Sequence, residues 1–378
     1  MVDSHVADQI RRLPVVPLPL RQESLLSWLD HLAVGYEVSR THMAEACGLL
    51  RPGDGPSRIA ASGPTSAVYG LGDADAVRVE QATGLSADEV QAMTWSRFVG
   101  TAVRSELIDA GPRERFRVMK ASWIDPRELK FCPSCIDETD GRWPLEWCTP
   151  WAFACLRHGC YLLAECPACR TPIRAGVRLG QGGCRGSEKH CLTDVVTWRC
   201  GMEYRKMQAP DLQDRLLADL QRLLDSHLSS TRQEPVYAGG VFADLAAMAE
   251  FALFLAAPEH LDGADPVVVE RFAEFSRRSA LTHGGPMLEE AEPMVRTAGL
   301  RIASQIVFSD DPWATARAMA DFASRPLVAR ARPLHEAWLK RPPRDTTERL
   351  VGIVRSVRIA APSTRGPGGR ILERALYE

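Results

Sequence analysis

The chain is predicted to be mainly α-helical, with a small metal-stabilised module near its middle. Two observations support this fold class. Apolar side chains recur at helical spacing in residues 21–119 and again in residues 209–378. Between these regions, residues 120–208 are rich in cysteine and contain three pairs of residues that commonly bind metals. We therefore expect four parts: an extended arm at 1–20, a helical, helix-turn-helix-like domain at 21–119, a metal-binding module of tandem zinc fingers at 120–208 and a helical, basic domain at 209–378.

The first part, residues 1–20, is expected to be an extended arm. The string RRLPVVPLPL places prolines at positions 14, 17 and 19. Proline lacks a backbone donor and disfavours helix, so this segment is expected to lie extended against a neighbouring element.

The second part is predicted to begin with a helix and to contain a helix-turn-helix-like hairpin. SLLSWLDHLA carries apolar residues at helical spacing, with Ser24 as its N-cap. In AVRVEQATGLSADEVQAMT, Gly84 makes a turn and Ser86 caps a second helix. Asp88 and Glu89 on that helix would face phosphate poorly, so DNA contact, partner binding and a purely structural role all stay open.

Three ligand pairs define the metal-binding module, and each pair has two residues between its members. This spacing lets one tight turn aim both side chains at a single tetrahedral ion, which favours zinc. The six residues are Cys132, Cys135, Cys155, His158, Cys166 and Cys169. A structural role is expected because so small a module buries too little apolar surface to fold without the ion. The sequence lacks the His-x-Glu of zinc deaminases and the His-Glu-x-x-His of zincins, so a zinc hydrolase is disfavoured.

Six ligands are too many for one tetrahedral ion and too few for two. Two zinc ions are therefore expected, with later cysteine or histidine residues completing the second site. The first ion is assigned to Cys132, Cys135, Cys155 and His158. The second is assigned to Cys166, Cys169, Cys184 and Cys200. A cross-braced pairing stays open, as does replacement of Cys184 by Cys191 or His190. Cys148 and Cys160 lie off the paired spacing and are predicted to be small core residues.

The C-terminal part is expected to be helical and basic, and it is the candidate DNA-binding region. Between Arg325 and Arg374, twelve Lys and Arg residues are opposed by four acidic residues. Such an excess suits a phosphate backbone, although a solvated basic face explains it equally well. The candidate DNA contacts are Arg341, Arg344, Arg355 and Arg358.

Composition and missing motifs argue against a membrane protein, an ATPase and a nuclease. The chain has 378 residues, eleven cysteines and a net charge of −2. No apolar run is long enough to span a membrane, and the first residues do not resemble a signal peptide, so a cytoplasmic protein is expected. No phosphate-binding Gly-Lys-Ser/Thr string is present, which argues against an ATPase, and no acidic pattern demands a nuclease. We expect a protein without catalytic activity.

Several strings together resemble the TniQ family, in order and spacing. They are PLPLRQESLLSWLDHLA, ATGLSADEVQAMT, FCPSC, WPLEW, CLRHG, YLLAECPAC and RCG, from about Pro17 to about Tyr204. The wide spacing of Cys184 and Cys200, with Cys191 between them, departs from the family pattern and leaves the second ligand set in doubt.

The resemblance implies a non-catalytic adaptor that selects a target site for transposition. Such an adaptor recognises DNA, or a complex already on DNA such as a CRISPR effector, and recruits an AAA+ ATPase that brings the transposase. By hypothesis, the arm and Trp28 contact the ATPase; the alternative is that Trp28 is core. The chain itself is a further candidate partner, as a homodimer. The alternative function is a zinc-containing helix-turn-helix transcription regulator that binds DNA on its own.

Overall fold

The computed structural model describes most of the chain, in several separate ranges. These are residues 11–50, 66–109, 111–121, 123–124, 128–168, 170, 172–173, 202–229, 238–281, 292–311, 313, 315 and 346–353. The described residues are mainly helical, as predicted, and they fall into two compact units. One unit lies within Met1–Gln213 and Gln221–Arg232, the other within Asp214–Leu220 and Gln233–Glu378. The four-part division of the chain stays a prediction.

The regular elements are mostly short helices, with a single described β-hairpin. The helices of the first part are α1 (Leu25–Gly35), α2 (Arg40–Ala46), α3 (Ser66–Tyr69), α4 (Asp73–Thr83), α5 (Ala87–Gln91), α6 (Glu106–Asp109), α7 (Pro112–Ala121) and α8 (Pro133–Glu138). Strands β1 (Ala154–Cys155) and β2 (Cys160–Tyr161) follow. The remaining helices are α9 (Arg215–Ser229), α10 (Ala238–Leu255), α11 (Pro266–Leu281) and α12 (Pro293–Val307). Helix α9 begins in the second unit and ends in the first.

Helix α1 begins as the sequence predicts. Ser24 is its N-cap, and the Ser24 hydroxyl accepts a hydrogen bond from the backbone N–H of Ser27. Its apolar face is buried in a core that α2, α4 and α5 complete. Helix formation here therefore follows from a local cap and from burial of one face.

The described part of the arm, residues 11–20, has no helix and lies along the helical core. The Leu13 N–H donates to the Ala82 carbonyl, and the Tyr36 hydroxyl bonds both backbone groups of Val15. The Pro17 carbonyl accepts from the indole N–H of Trp28 at 2.9 Å. This described part of the arm forms no sheet, and these backbone N–H and carbonyl groups instead make hydrogen bonds to side chains and to the end of α4.

The α4–α5 hairpin has the local geometry that its sequence predicts. Gly84 ends α4 with a φ of +77°, a left-handed conformation that glycine adopts without strain. Ser86 caps α5 in a reciprocal capping box with Glu89. Helix α5 has only five residues, and a DNA-reading role for this hairpin stays a prediction.

The metal-binding segment is joined to the start of α1 by side-chain and backbone contacts. Arg142 pairs with the buried carboxylate of Glu23 and also donates to the Leu18 carbonyl. The Trp143 N–H donates to the hydroxyl of Ser27 at 2.8 Å. These contacts cross more than a hundred residues of sequence and hold the arm, α1 and the module as one packed body.

The second unit is built mainly from α10, α11 and α12. Helix α10 is apolar nearly all round, and most of its described side chains are buried. On α12, the Arg301 guanidinium pairs with Asp214 and donates to the Asp262 carbonyl at 2.8 Å. The Arg301 and Asp214 side chains are both almost fully buried, so each charge offsets the desolvation cost of the other.

Within the described residues, no helix is both long and apolar enough to cross a membrane. The four arginines proposed to bind DNA lie outside the described residues. So do Cys169, Cys184, His190, Cys191 and Cys200.

Candidate metal centre

Two short elements position the first predicted ligand set. Cys132 is the N-cap of α8 and Cys135 lies in its first turn, with Pro133 at the first helical position. Cys155 ends β1, and His158 lies in the turn that leads into β2. Gly159 in this turn has a φ of +60°, which lets the chain reverse tightly beside the imidazole.

The four side chains converge on one point. The donor atoms of Cys132, Cys135, Cys155 and His158 all lie within 4.8 Å of one another. His158 Nδ1 is 3.4 Å from Cys132 Sγ, 3.2 Å from Cys135 Sγ and 3.5 Å from Cys155 Sγ. The Cys135 and Cys155 sulfur atoms are 3.6 Å apart.

These separations fit a tetrahedral ion. Zinc–sulfur bonds of about 2.3 Å at tetrahedral angles place two thiolates about 3.8 Å apart. The measured sulfur separation is close to this value, and three sulfurs with one imidazole are a common structural zinc set. The cluster could therefore bind a divalent metal ion, in the grouping assigned from the sequence.

The thiols in the cluster differ in the direction of their pKa shifts. The Cys132, Cys135 and Cys160 thiols lower the pKa of Cys155 below its usual range. The Cys135 thiol is the main cause that lowers the pKa of Cys132, to about 6. The pKa of Cys135 is raised instead, mainly by its hydrogen bond with the Cys132 thiol. Thiolate is the ligand form of cysteine, so Cys132 and Cys155 are the two ligands biased toward the form that binds metal.

A carboxylate orients the imidazole from outside the cluster. Glu138, the last residue of α8, lies 3.1 Å from His158 Nε2. It also pairs with Arg157 at 2.9 Å. When Nδ1 faces the ion, Nε2 carries the proton and donates to Glu138, the carboxylate–histidine arrangement typical of metal sites.

Aromatic side chains pack beside the cluster. Phe131 precedes the first ligand, and its ring centroid is 4.9 Å from that of Tyr204 and 6.4 Å from that of Trp143. Trp147 and Trp151 are also buried. The aromatic side chains of this segment thus form an apolar core beside the ligand cluster.

Cys160 is the feature of this centre that spacing did not identify. It is buried, as predicted for a core residue, but its sulfur lies only 3.6 Å from Cys132 Sγ. The hairpin pairs Cys160 directly with Cys155. The Cys-x-x-His-x-Cys spacing alone did not reveal this proximity, because Cys160 returns to the ligand only once the hairpin forms.

The second predicted zinc site cannot be assembled from the described residues. Of its four assigned ligands only Cys166 is described, and it is fully buried. The other three lie outside the described residues, so the second ligand set stays a prediction.

Trp28 lies in the core of the helical domain. Its side chain is fully buried, and the arm covers it through the hydrogen bond to Pro17. A direct contact between Trp28 and a partner would require the arm to move away. The side chains that the arm turns outward are Val15 and Leu18, at 68% and 70% exposure.

A buried carboxylate in the first unit leads to a pH-dependence prediction. Burial raises the pKa of Glu146 to about 7, and Arg97 offsets this only in part. Folding raises this pKa above its unfolded value, so the protonated form of Glu146 is favoured in the folded state. Its contribution to the free energy of unfolding is present at low pH and is lost as pH rises through about 7.

We expect Glu146→Gln to have a higher free energy of unfolding than the parent at pH 8, by up to about 3 kcal/mol at 1.36 kcal/mol per pKa unit. The difference should vanish near pH 4.5. Urea unfolding of both proteins across this range measures it, and metal release at acid pH affects both alike. A difference that does not change with pH would contradict the assignment.

The described residues define a helical protein that carries a compact Cys/His metal centre. The family model described as TniQ matches residues 14–162. This region is therefore a TniQ domain, which confirms the family resemblance over the described arm, the helical core and the first ligand set. The TniQ family is a family of non-catalytic, transposition-associated adaptors. No curated protein matches the chain.

Proposed function

We propose that this protein is a target-selecting adaptor of transposition. It recognises a target DNA, or a complex already bound to DNA, and recruits an AAA+ ATPase that brings the transposase. The TniQ domain over residues 14–162 is the observation that carries this proposal. The same segment includes the complete first ligand set, so the family match and the metal centre coincide.

The proposed metal is zinc, in a structural role. Three thiolates and one imidazole occupy all four positions of a tetrahedral ion and leave none open for a substrate or a water. The module supplies the ligands from a short helix and a two-stranded hairpin. Neither element is long enough to be stable alone, so the ion would hold them together.

The arm is the proposed contact surface for the ATPase. Val15, Leu18 and Leu20 are exposed apolar side chains on a segment whose backbone is already bonded to α1 and α4. The buried Trp28 indole helps to fix the arm, because its N–H donates to the Pro17 carbonyl. An ordered backbone with outward apolar side chains loses little conformational entropy on binding.

A pull-down with a purified AAA+ transposition ATPase tests the contact. The Val15→Asp/Leu18→Asp variant is expected to reduce capture at least tenfold while thermal unfolding stays unchanged. Trp313→Asp is the matched control, because Trp313 is 52% exposed and lies in the second unit. Equal capture of both variants would place the contact elsewhere. Absence of capture by the parent, with tight autonomous binding to an operator, would favour a transcription regulator.

DNA binding is proposed to involve the basic C-terminal stretch. Reversing the charge of the four candidate arginines should flatten the dependence of duplex affinity on salt by several units of the log–log slope, since each phosphate contact contributes about 0.9. Filter binding between 50 and 200 mM salt measures this slope. An unchanged slope would assign these arginines to a solvated surface.

A further inference from the structure

A fifth donor side chain lies beside the four of the metal centre. The four are three cysteines and His158, whose donor atoms all lie within 4.8 Å of one another. The fifth is Cys160, which is not one of that group. Its sulfur lies 3.6 Å from Cys132 Sγ, the same separation as between Cys135 and Cys155. Cys160 thus lies as close to one ligand as two of the ligands lie to each other.

The fold holds Cys160 in this place from both sides. It pairs with Cys155 across the hairpin. The next residue, Tyr161, donates its backbone N–H to the Pro210 carbonyl at 2.8 Å, and the Gly159 carbonyl accepts from Leu212 at 2.8 Å. The Cys160 side chain is only 7% exposed. A backbone fixed on both sides leaves only side-chain rotation to bring the sulfur onto the ion.

His158 is a half-buried member of the tetrahedral group, as is Cys135. The His158 side chain is 21% exposed, and its partner Glu138 is 39% exposed. Cys132, by contrast, is fully buried, and Cys155 is buried in the hairpin. The imidazole is therefore a ligand that water can reach. Cys₃His and Cys₄ are both common structural zinc sets, so exchange of one donor conserves the coordination.

We propose that Cys160 is a reserve ligand, which replaces His158 so that four thiolates hold the ion. The imidazole leaves as a neutral donor, and the Cys160 thiol releases its proton to solvent as its sulfur binds. The ion with its ligands changes from a net charge of −1 to −2. This inference rests on metal binding by the first ligand set, as given under the proposed function.

The test compares metal content in three variants. His158→Ala is expected to retain as many zinc equivalents as the parent. His158→Ala/Cys160→Ser is expected to hold one equivalent fewer, or to bind that ion at least 100-fold more weakly. His158→Ala/Cys148→Ser is the matched control, since Cys148 is also buried but is no member of the cluster. It should behave as His158→Ala.

Cobalt substitution identifies the donor directly. Thiolate-to-cobalt absorption should be stronger in His158→Ala than in the parent, because one more sulfur binds the ion, and Cys160→Ser should abolish the gain. The proposal is overturned if His158→Ala and His158→Ala/Cys160→Ser hold the same zinc equivalents and show the same cobalt spectrum. It is also overturned if His158→Ala loses the ion or its solubility while the parent keeps both. If the parent itself binds no ion, the metal assignment under the proposed function fails instead.

Discussion

Replacing Cys132 with serine is expected to abolish recovery of soluble, folded protein. Cys132 caps α8 and is fully buried at the centre of the ligand cluster. Loss of one thiolate removes most of the roughly 10–16 kcal/mol that a structural zinc can supply. A domain is typically stable by only about 5–15 kcal/mol, so the module is not expected to survive the loss. Soluble yield, zinc content and thermal unfolding measure the effect.

Cys148→Ser is the matched control for this prediction. Burial raises the pKa of the Cys148 thiol to about 12, so it stays neutral and unsuited to bind metal. We expect this variant to keep its zinc and to lose about 1–2 kcal/mol, the cost of a buried polar replacement. Cys166→Ser is expected to act like Cys132→Ser, through the second ion. Stable, monodisperse Cys132→Ser/Cys160→Ser with unchanged thermal unfolding would refute a scaffold role for the metal, since both the ligand and the neighbouring reserve thiol are then absent.

The second large effect is expected at the buried ion pair between Arg142 and Glu23. Arg142 Nε donates to Glu23 Oε1 at 2.8 Å, and the Glu23 side chain is 1% exposed. Arg142→Met should lower the free energy of unfolding by about 3–5 kcal/mol, because it leaves the carboxylate buried without its cation. It also removes a donor to the Leu18 carbonyl, which helps to hold the arm. Chemical denaturation of the zinc-loaded protein measures the change.

Two further variants separate this ion pair from a general effect of losing arginine. Arg117 pairs with Glu114 on the surface and its side chain is 74% exposed. Arg117→Met should therefore cost less than about 1 kcal/mol. Glu23→Gln combined with Arg142→Met should recover part of the loss, since the buried charge is gone. An Arg142→Met protein as stable as Arg117→Met would show that the pair contributes little.

Local features were predictable from the sequence because short-range geometry determines them. The Ser24 and Ser86 caps and the turn at Gly84 depend on residues within one helical turn. The first ligand set was predictable for the same reason, as two residues between ligands define a tight turn. The order of its motifs also identified the family, which the match over residues 14–162 confirms.

Long-range placement was not predictable from these patterns. The helical periodicity around Trp28 indicated burial, but nothing in it showed that Pro17 of the arm is the covering element. The spacing of Cys160 pointed to an ordinary core residue, because the hairpin register that returns it to the ligands has no signature in a count of intervening residues. The pairing of Glu23 with Arg142 joins residues 119 positions apart.

The sequence by itself determined the helical class, the TniQ domain at residues 14–162 and the four side chains that converge as a candidate metal site. Only the tertiary structure decided that a fourth sulfur lies beside this centre, that Trp28 is covered and that Val15 and Leu18 face outward. The physical reason is the range of the interactions. Caps, turns and paired ligands depend on neighbouring residues, whereas burial and donor separations depend on how distant segments pack.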